Sequence, residues 1–525
     1  MAASGTPGAM MVGTFQRIAT RMVSEERAGL TFVLFLLLHA VLWSLLPGLT
    51  RHELDSDSMM HFAWGQEWML SYNLHPPFLP WVVAGFLKLV GISNWSYLFL
   101  SQINIAIAFI AIYLLAKQFL RPAQALAAVC LLEFIPYYSF LSIRLNHSSM
   151  LISIWALTAL FAYYAISRRR LMYWIVLGFC LAIGMLTKYY AITLVGAIGL
   201  YIVSTHQGRA QLRTLGPYAS ALVFGLLLYV HVDYVSEHRI GTVQHINDYF
   251  FLDSLSIRWK AVSFFLAQLV YLLPSVIAFM LATYSSSLSR RLPILLRLPN
   301  LPENAGLTYT VLLFPLLVTA IPGLILGVDI SSRWGGPILI TAGIMLILQF
   351  PLNLTGIQCR RIVIGSIVYA FVVPLIMLGV ISQGGVESRY SFPGKELATT
   401  VTDLWHDSFR SKLRLVGGGW MAPDSIAFHS IDHPSVLQHL SHQWSPWVSK
   451  SDIQKHGIAI VCLSDDELCL TNANRMFPSF KFRTLTIKGN DFGLSHSRTE
   501  RFRYFLVPPK STNIQLDNVL HNPRR

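Results

Sequence analysis

Residues 55–81, DSDSMMHFAWGQEWMLSYNLHPPFLPW, hold the chain's densest group of side chains able to do chemistry. Asp55, Asp57, His61, Gln66, Glu67 and His75 stand there between long apolar runs. Carboxylates accept protons, and imidazoles and amides hold anions. Met60, Trp64 and Trp68 recur at i, i+4 and i+8, one stripe of a helix, and an Asp or Ser before such a stripe is an N-cap signal. Trp at this spacing favours a helix lying in the membrane–water interface. Tyr72-Asn73 should end the helix, and Pro76-Pro77 should force Leu74 and His75 extended. The spacing thus predicts a carboxylate-bearing helix and a stiff His-Pro-Pro corner at one membrane surface. A solvated loop with incidental charges would hold the same residues.

An acidic residue, an aromatic-rich helix, a Tyr and a Lys- or His-Pro-Pro corner together resemble the first outer loop of lipid-linked-sugar glycosyltransferases of the C-type fold, GT-C. That family, glycosyltransferase family 39, includes protein O-mannosyltransferases, aminoarabinose transferases and galacturonosyltransferases of lipopolysaccharide. The matching residues are Asp57-Ser58, Trp64, Tyr72 and His75-Pro76-Pro77. Ser58 stands where the family has Glu, so a role needing two adjacent carboxylates is not supported. The resemblance covers roughly the first 350–380 residues, within the spans counted below.

Composition sets the surroundings. The 525 residues are 54% hydrophobic and only 13% charged, against about 25% charged in soluble domains. Mean hydropathy is +0.52. The chain is therefore a polytopic α-helical membrane protein. Its net charge of +14 does not point to nucleic acid, because the cations fall in short clusters between apolar runs. The N-terminus lacks a small-residue cleavage site after an apolar core, so the first run is read as retained. Segments able to span lie near 29–48, 97–116, 122–141, 148–166, 172–187, 189–205, 214–232, 259–283, 307–327, 335–351 and 361–382. Residues 78–92 are shorter and suit an interfacial or re-entrant piece. The pair around Lys188 is either two spans or one kinked one. A GT-C arrangement of about 11–13 transmembrane helices is expected.

Alternate connections carry Arg17, Arg21 and Arg27; Lys117 and Arg121; Arg168–Arg170; Arg209 and Arg213; Arg290, Arg291 and Arg297; and Arg360-Arg361. By the positive-inside rule these face the cytoplasm. The N-terminus is then inside and the C-terminal segment outside. The opposite set holds Asp55, Asp57, His75, Arg144, Asn146, His147, Lys188, Asp233, Glu237, Arg239, Asp329 and Arg333. Such residues gathered on one side suit a catalytic chamber, although loops are polar in any case. The division expected is a transmembrane domain over 1–382, with the motif in an outer loop over 49–96, and a small α/β extracytoplasmic domain over 383–525. In that domain Leu413–Val416, Ile458–Leu463, Phe480–Ile487 and Tyr504–Val507 read as strands and 422–430 as a helix. Gly417-Gly418-Gly419 lacks dinucleotide spacing and reads as a turn. Cys462 and Cys469, both in this domain, would bridge in an oxidising compartment.

Sugar transfer from a lipid phosphate needs stabilisation of the leaving phosphate, a base for the acceptor hydroxyl, and sideways entry for the carrier. Asp57 is the base that the resemblance implies, with Asp55 the competing assignment two residues away. A helix N-cap is the structural alternative for Asp57. His75 matches the Lys or His of the corner and is implied to lie by the phosphate. Arg144 and Asn146 stand in a segment that resembles the second outer loop, where many members have Asp; Asn146 would orient the sugar or cap the helix. Lys188 and Tyr189 resemble a Lys-Tyr element, and Arg333 a late Arg-Tyr/Trp motif; both cations are phosphate candidates. Glu133, inside an apolar span, is a functional suspect on that ground alone. No metal-ligand cluster stands out, and no cofactor is expected.

The function expected is transfer of a sugar from a polyprenyl-phosphate carrier to a cell-envelope acceptor: lipid A, lipopolysaccharide core or another glycan. It would occur on the periplasmic side of a bacterial inner membrane. Protein O-mannosyltransfer is the alternative among enzymes. A transporter or flippase is the rival class, but it should gather its polar residues near the midplane of broken spans.

Overall fold

The computed structural model describes residues 23–238, 255–284, 301–349, 354–382, 391–490 and 498–511. Arg17, Arg21, Arg239, Arg290, Arg291 and Arg297 lie outside them. The membrane body runs α1 (Ala28–Thr50), α2 (Ser56–Gln66), α3 (Phe78–Val90), α4 (Asn94–Ala116), α5 (Pro122–Leu132), α6 (His147–Arg168), α7 (Leu171–Thr187), α8 (Ile192–Ser204), α9 (His206–Gln211), α10 (Gly216–His238), α11 (Leu255–Thr283), α12 (Gly306–Leu326), α13 (Ala342–Gln349) and α14 (Gly356–Ser382). Among the described residues, seven helices are long and apolar enough to cross a membrane, and shorter apolar helices accompany them. A 23-residue helix such as α4 is about 35 Å long, enough for a hydrocarbon core of about 30 Å.

Several expected spans are broken, each for a local reason. Over 122–141, α5 ends at Leu132 and Pro136 opens a 3₁₀ turn, since proline cannot continue the ladder. Over 335–351, Pro337 follows two glycines, and short 3₁₀ turns precede α13. At Lys188 the backbone turns extended, with φ −160° and ψ 132°, so α7 and α8 are separate helices. The 78–92 piece is α3, whose 13 residues reach only about 20 Å. Leu222, Leu226 and Tyr229 on α10 are exposed apolar side chains, suited to lipid contact.

After the membrane body come α15 (Gly394–Phe409), β1 (Leu415–Gly418), α16 (Ala422–His429), β2 (Ser435–Gln438), α17 (Lys450–His456), β3 (Ile458–Leu463), α18 (Glu467–Met476), β4 (Arg483–Lys488) and β5 (Thr499–Val507). The sheet order is β2-β1-β3-β5-β4. β1 pairs parallel with both β2 and β3, while β5 runs antiparallel to β3 and β4. Gly417 and Gly418 belong to β1 and are not the turn expected there. A side chain on Gly418 would run into the Val461 carbonyl of β3. β2, four residues long, was not expected. Cys462 and Cys469 form a disulfide between β3 and α18.

One apolar cluster joins this domain to the motif. Val416, Ile426, Phe428, Val436 and Val461 of the sheet layer pack with Met59, Phe62 and Ala63 of α2 and with Leu79 and Val83 of α3. The helix that carries the candidate chemistry is thus held between membrane body and sheet.

Candidate functional site

Asp55 is the N-cap of α2. Its side chain accepts from Ser58 N at 3.3 Å and from Ser58 Oγ at 2.9 Å. Ser58, at the place of the family's second acid, therefore closes the cap. Asp57 is not the cap; it lies in the first turn and lines a cavity of about 510 Å³. Arg144 Nη2 stands 3.5 Å from Asp55 Oδ1 and 3.7 Å from Asp57 Oδ2, and so ties both carboxylates to the α5–α6 segment.

The end of α2 differs from the expected one. The helix stops at Gln66, and Trp68 takes a left-handed φ of 48°. At Gly65 the backbone lies so close to the Pro80 carbonyl of α3 that a side chain would clash. The Met60–Trp64–Trp68 stripe is therefore cut. Trp64 is fully buried and Trp68 is exposed. Trp64 faces the sheet, where its Nε1 donates to Gln438 Oε1 at 2.7 Å and Gln438 Nε2 donates to Asp424 Oδ1 at 2.8 Å. His75 lies in a bend, and its carbonyl accepts from Tyr72 N at 3.1 Å.

The cavity gathers most of the expected residues: Asp57, His75, Asn146, Lys188, Tyr189 and Arg333 all line it. Asn146 caps α6, accepting from Ser148 N and Ser149 N at 3.0 Å each, so capping and lining coincide in one side chain. Lys188 Nζ donates to Ser148 Oγ at 2.9 Å and sits 4.6 Å above the Trp334 ring. The Tyr189 hydroxyl lies 2.7 Å from His231 Nε2. The other wall is apolar, with Ile192, Val318, Pro322, Val328 and Ile330.

Glu133 is a correction. It does not line this cavity. It is fully buried at the end of α5, with His39 Nδ1 2.6 Å from Oε2 and Trp43 Nε1 donating to Oε1 at 2.8 Å. The burial that made it a suspect is met by two partners on α1. Arg144 also stands behind the cavity, acting on the two aspartates.

His61, His147 and Trp420 also line the cavity, with no role assigned to them from the sequence. His147 opens α6 and packs against His75, with ring centroids 3.9 Å apart and the rings tilted by 35°. His61 meets His147 edge-on at 4.7 Å. Burial pushes the His61 imidazole down to about 4, against the pull of Asp55, so it is neutral at neutral pH. Trp420 comes from the sheet domain. His61 and His147 stood next to motif residues in the sequence; Trp420 carried no such signal. Among the described residues no group of three or more His, Cys, Asp or Glu is arranged to hold a metal ion.

Residues 74–234 match the family model described as dolichyl-phosphate-mannose-protein mannosyltransferase. The match includes His75, Arg144, Asn146, Lys188 and Tyr189; it begins after Asp57 and ends before Arg333. No curated protein matches the sequence significantly. Among solved structures, the chain is similar to ArnT from Cupriavidus metallidurans bound to undecaprenyl phosphate, with a TM-score of 0.61 and 12% identity over 90% of this chain and 97% of that one. The apo state of that protein gives a TM-score of 0.56, with 12% identity and the same coverage of 90% and 97%. At such identity the likeness is one of fold. The chain is a polytopic membrane protein of the GT-C fold, and its motifs resemble those of lipid-linked-sugar glycosyltransferases.

Proposed function

We propose that this glycosyltransferase moves a sugar from a polyprenyl-phosphate carrier to a hydroxyl of a cell-envelope lipid or glycan, at the periplasmic face of a bacterial inner membrane. One observation carries the reading: a single cavity has a carboxylate, two cations, three imidazoles and an apolar wall. The solved relative holds undecaprenyl phosphate, and an apolar wall suits such a carrier here. Lys188, His75 and Arg333 are the groups to hold the phosphate through charge-assisted contacts. Asp57 is the base. Its place in the first turn of α2 favours the ionised form through the helix dipole. The acceptor oxygen attacks the anomeric carbon as the bond from that carbon to the phosphate oxygen breaks. The electron pair stays on the lipid phosphate, and the acceptor's proton passes to Asp57.

A protein hydroxyl is the second acceptor reading, favoured by the description of the matched family. A flippase is disfavoured because the polar groups sit at helix ends, such as the starts of α2 and α6 and the end of α7.

The test is purified protein with a radiolabelled polyprenyl-phosphate sugar and no gradient. Label should leave the carrier and appear in an added envelope fraction. A carrier that crosses the bilayer with its sugar intact would establish the rival class. Mass spectrometry of lipopolysaccharide and envelope proteins from a deletion strain separates the two acceptors. For orientation, a cysteine placed at Arg169 should be shielded from impermeant thiol reagents in intact cells, while one at Glu237 should react; the reverse would place the cavity inside.

A further inference from the structure

The sheet domain contributes one side chain to the cavity lining, Trp420. It stands just past β1, where the parallel strands β1 and β2 both end. The backbone around it is strained. Met421 has φ 74° and ψ −54°, and Ala422 N donates to Trp420 O at 3.0 Å. This is a γ-turn of the rare, positive-φ form. β2 ends in a different turn, in which His439 and Leu440 take left-handed φ of 51° and 52° and Ser441 N donates to Gln438 O at 3.0 Å. Non-glycine residues persist in such conformations only where the surroundings fix them. Strand, tight turn and helix thus hold the Trp420 ring out over the cavity.

Behind it lies an aromatic bed. The Trp420 ring is 5.6 Å from the His439 ring, which is 4.6 Å from Trp444. Trp420 also packs against the buried cluster of Met60, Trp64, Tyr72 and Leu74. It is itself only partly buried, so a face is left for a ligand. In open α/β sheets, ligands bind outside the carboxyl ends of parallel strands. Here that edge meets the membrane cavity that Asp57 also lines.

We propose that Trp420 is a specificity-determining platform for the acceptor, stacking its indole face on a pyranose ring of the glycan that receives the sugar. The proposal rests on the reading of Asp57 and the lipid donor given above. The apolar wall and the cations that suit the donor belong to the membrane body, whereas Trp420 belongs to the sheet domain, and we assign it to the second substrate on that ground. A pyranose offers a face of C–H bonds that packs on a flat aromatic ring, while its hydroxyls stay free for the polar rim.

The test compares Trp420→Phe with Trp420→Leu. Phenylalanine keeps a flat face; leucine keeps apolar bulk without one. The acceptor probe is envelope glycolipid extracted from a strain lacking the protein, titrated at saturating lipid-linked sugar. The donor-side probe is undecaprenyl phosphate, read by thermal shift. The expected result is an acceptor KM raised about tenfold in Trp420→Leu and within about threefold of wild type in Trp420→Phe. The undecaprenyl phosphate shift should match wild type in both. Equal acceptor KM in the two variants overturns the proposal, as does a matching loss on the donor side, which would mark Trp420 as packing. Wild-type protein that transfers no sugar at all removes the proposed function itself, and this proposal with it.

Discussion

The indole of Trp64 on the motif helix donates a buried 2.7 Å hydrogen bond to the side-chain amide of Gln438, 374 positions later. Gln438 in turn donates to Asp424. A three-residue chain thus fastens the helix bearing Asp57 to the sheet. Leaving a buried acceptor unsatisfied costs about 1–3 kcal/mol. Trp64→Phe and Gln438→Ala should each lower the melting temperature and slow transfer, and the double variant should cost less than their sum. Strict additivity in a double-mutant cycle would show that the two side chains do not act together.

Asp57→Asn should fold and insert, still bind undecaprenyl phosphate, and transfer at least ~100-fold more slowly, the scale of lost general-base catalysis. Asp55→Asn should behave otherwise. Asparagine still caps a helix, and Asp55 is tied up with Ser58 and Arg144. Its rate should stay within about tenfold of wild type, the two carboxylates differing by a base against a cap. A dead Asp55→Asn beside an active Asp57→Asn in single-turnover assays would reverse the assignment.

Lys188→Ala and Arg333→Ala should each weaken use of the lipid donor by roughly one to two decades, since a charge-assisted contact contributes about 1.5–3 kcal/mol. Lys188→Arg should recover part of that loss. The readout is the donor KM together with competition by undecaprenyl phosphate. Unchanged donor dependence in both alanine variants would make the two cations anchors only.

Asp424 links stability to pH. Burial raises its carboxyl from 3.8 to about 7, partly offset by the Gln438 hydrogen bond. The folded state therefore holds a proton that the unfolded state releases near pH 4. Stability from this group is fully present below about pH 4 and is lost as pH rises through about 7. Asp424→Asn keeps an acceptor for Gln438 and cannot ionise. Between those limits the melting temperature of wild type should fall by a few degrees relative to the variant as pH rises. Parallel melting curves would show that Asp424 does not titrate in this window.

Much of the membrane side was legible before the fold. Asp57, His75, Lys188 and Arg333 are polar residues near the ends of apolar runs that the family resemblance singled out, and all four line one cavity. Glu133 was misread because hydropathy flags any acid in a span. Its partners His39 and Trp43 lie 94 and 90 residues away on another helix, where no local pattern reaches. The motif helix was drawn too long because a periodic stripe does not reveal that Gly65 rests on the Pro80 carbonyl. β2 is four residues long directly after Pro434, too short to give an alternating pattern. Trp420 was out of reach for a deeper reason. Its place in the cavity that Asp57 lines exists only once the sheet has docked, and neither segment states that docking by itself.

The tie between Trp64 and Gln438 also has a consequence in time. A ribosome adding ~5–20 residues per second needs roughly 20–75 s to pass from one to the other. For that interval the motif helix has left the ribosome, but its roof has not been made. Nascent chains arrested before residue 415 should expose residues 56–66 to protease, and chains released at full length should not. A chain arrested there would then hold the cations and the apolar wall without a seated Asp57.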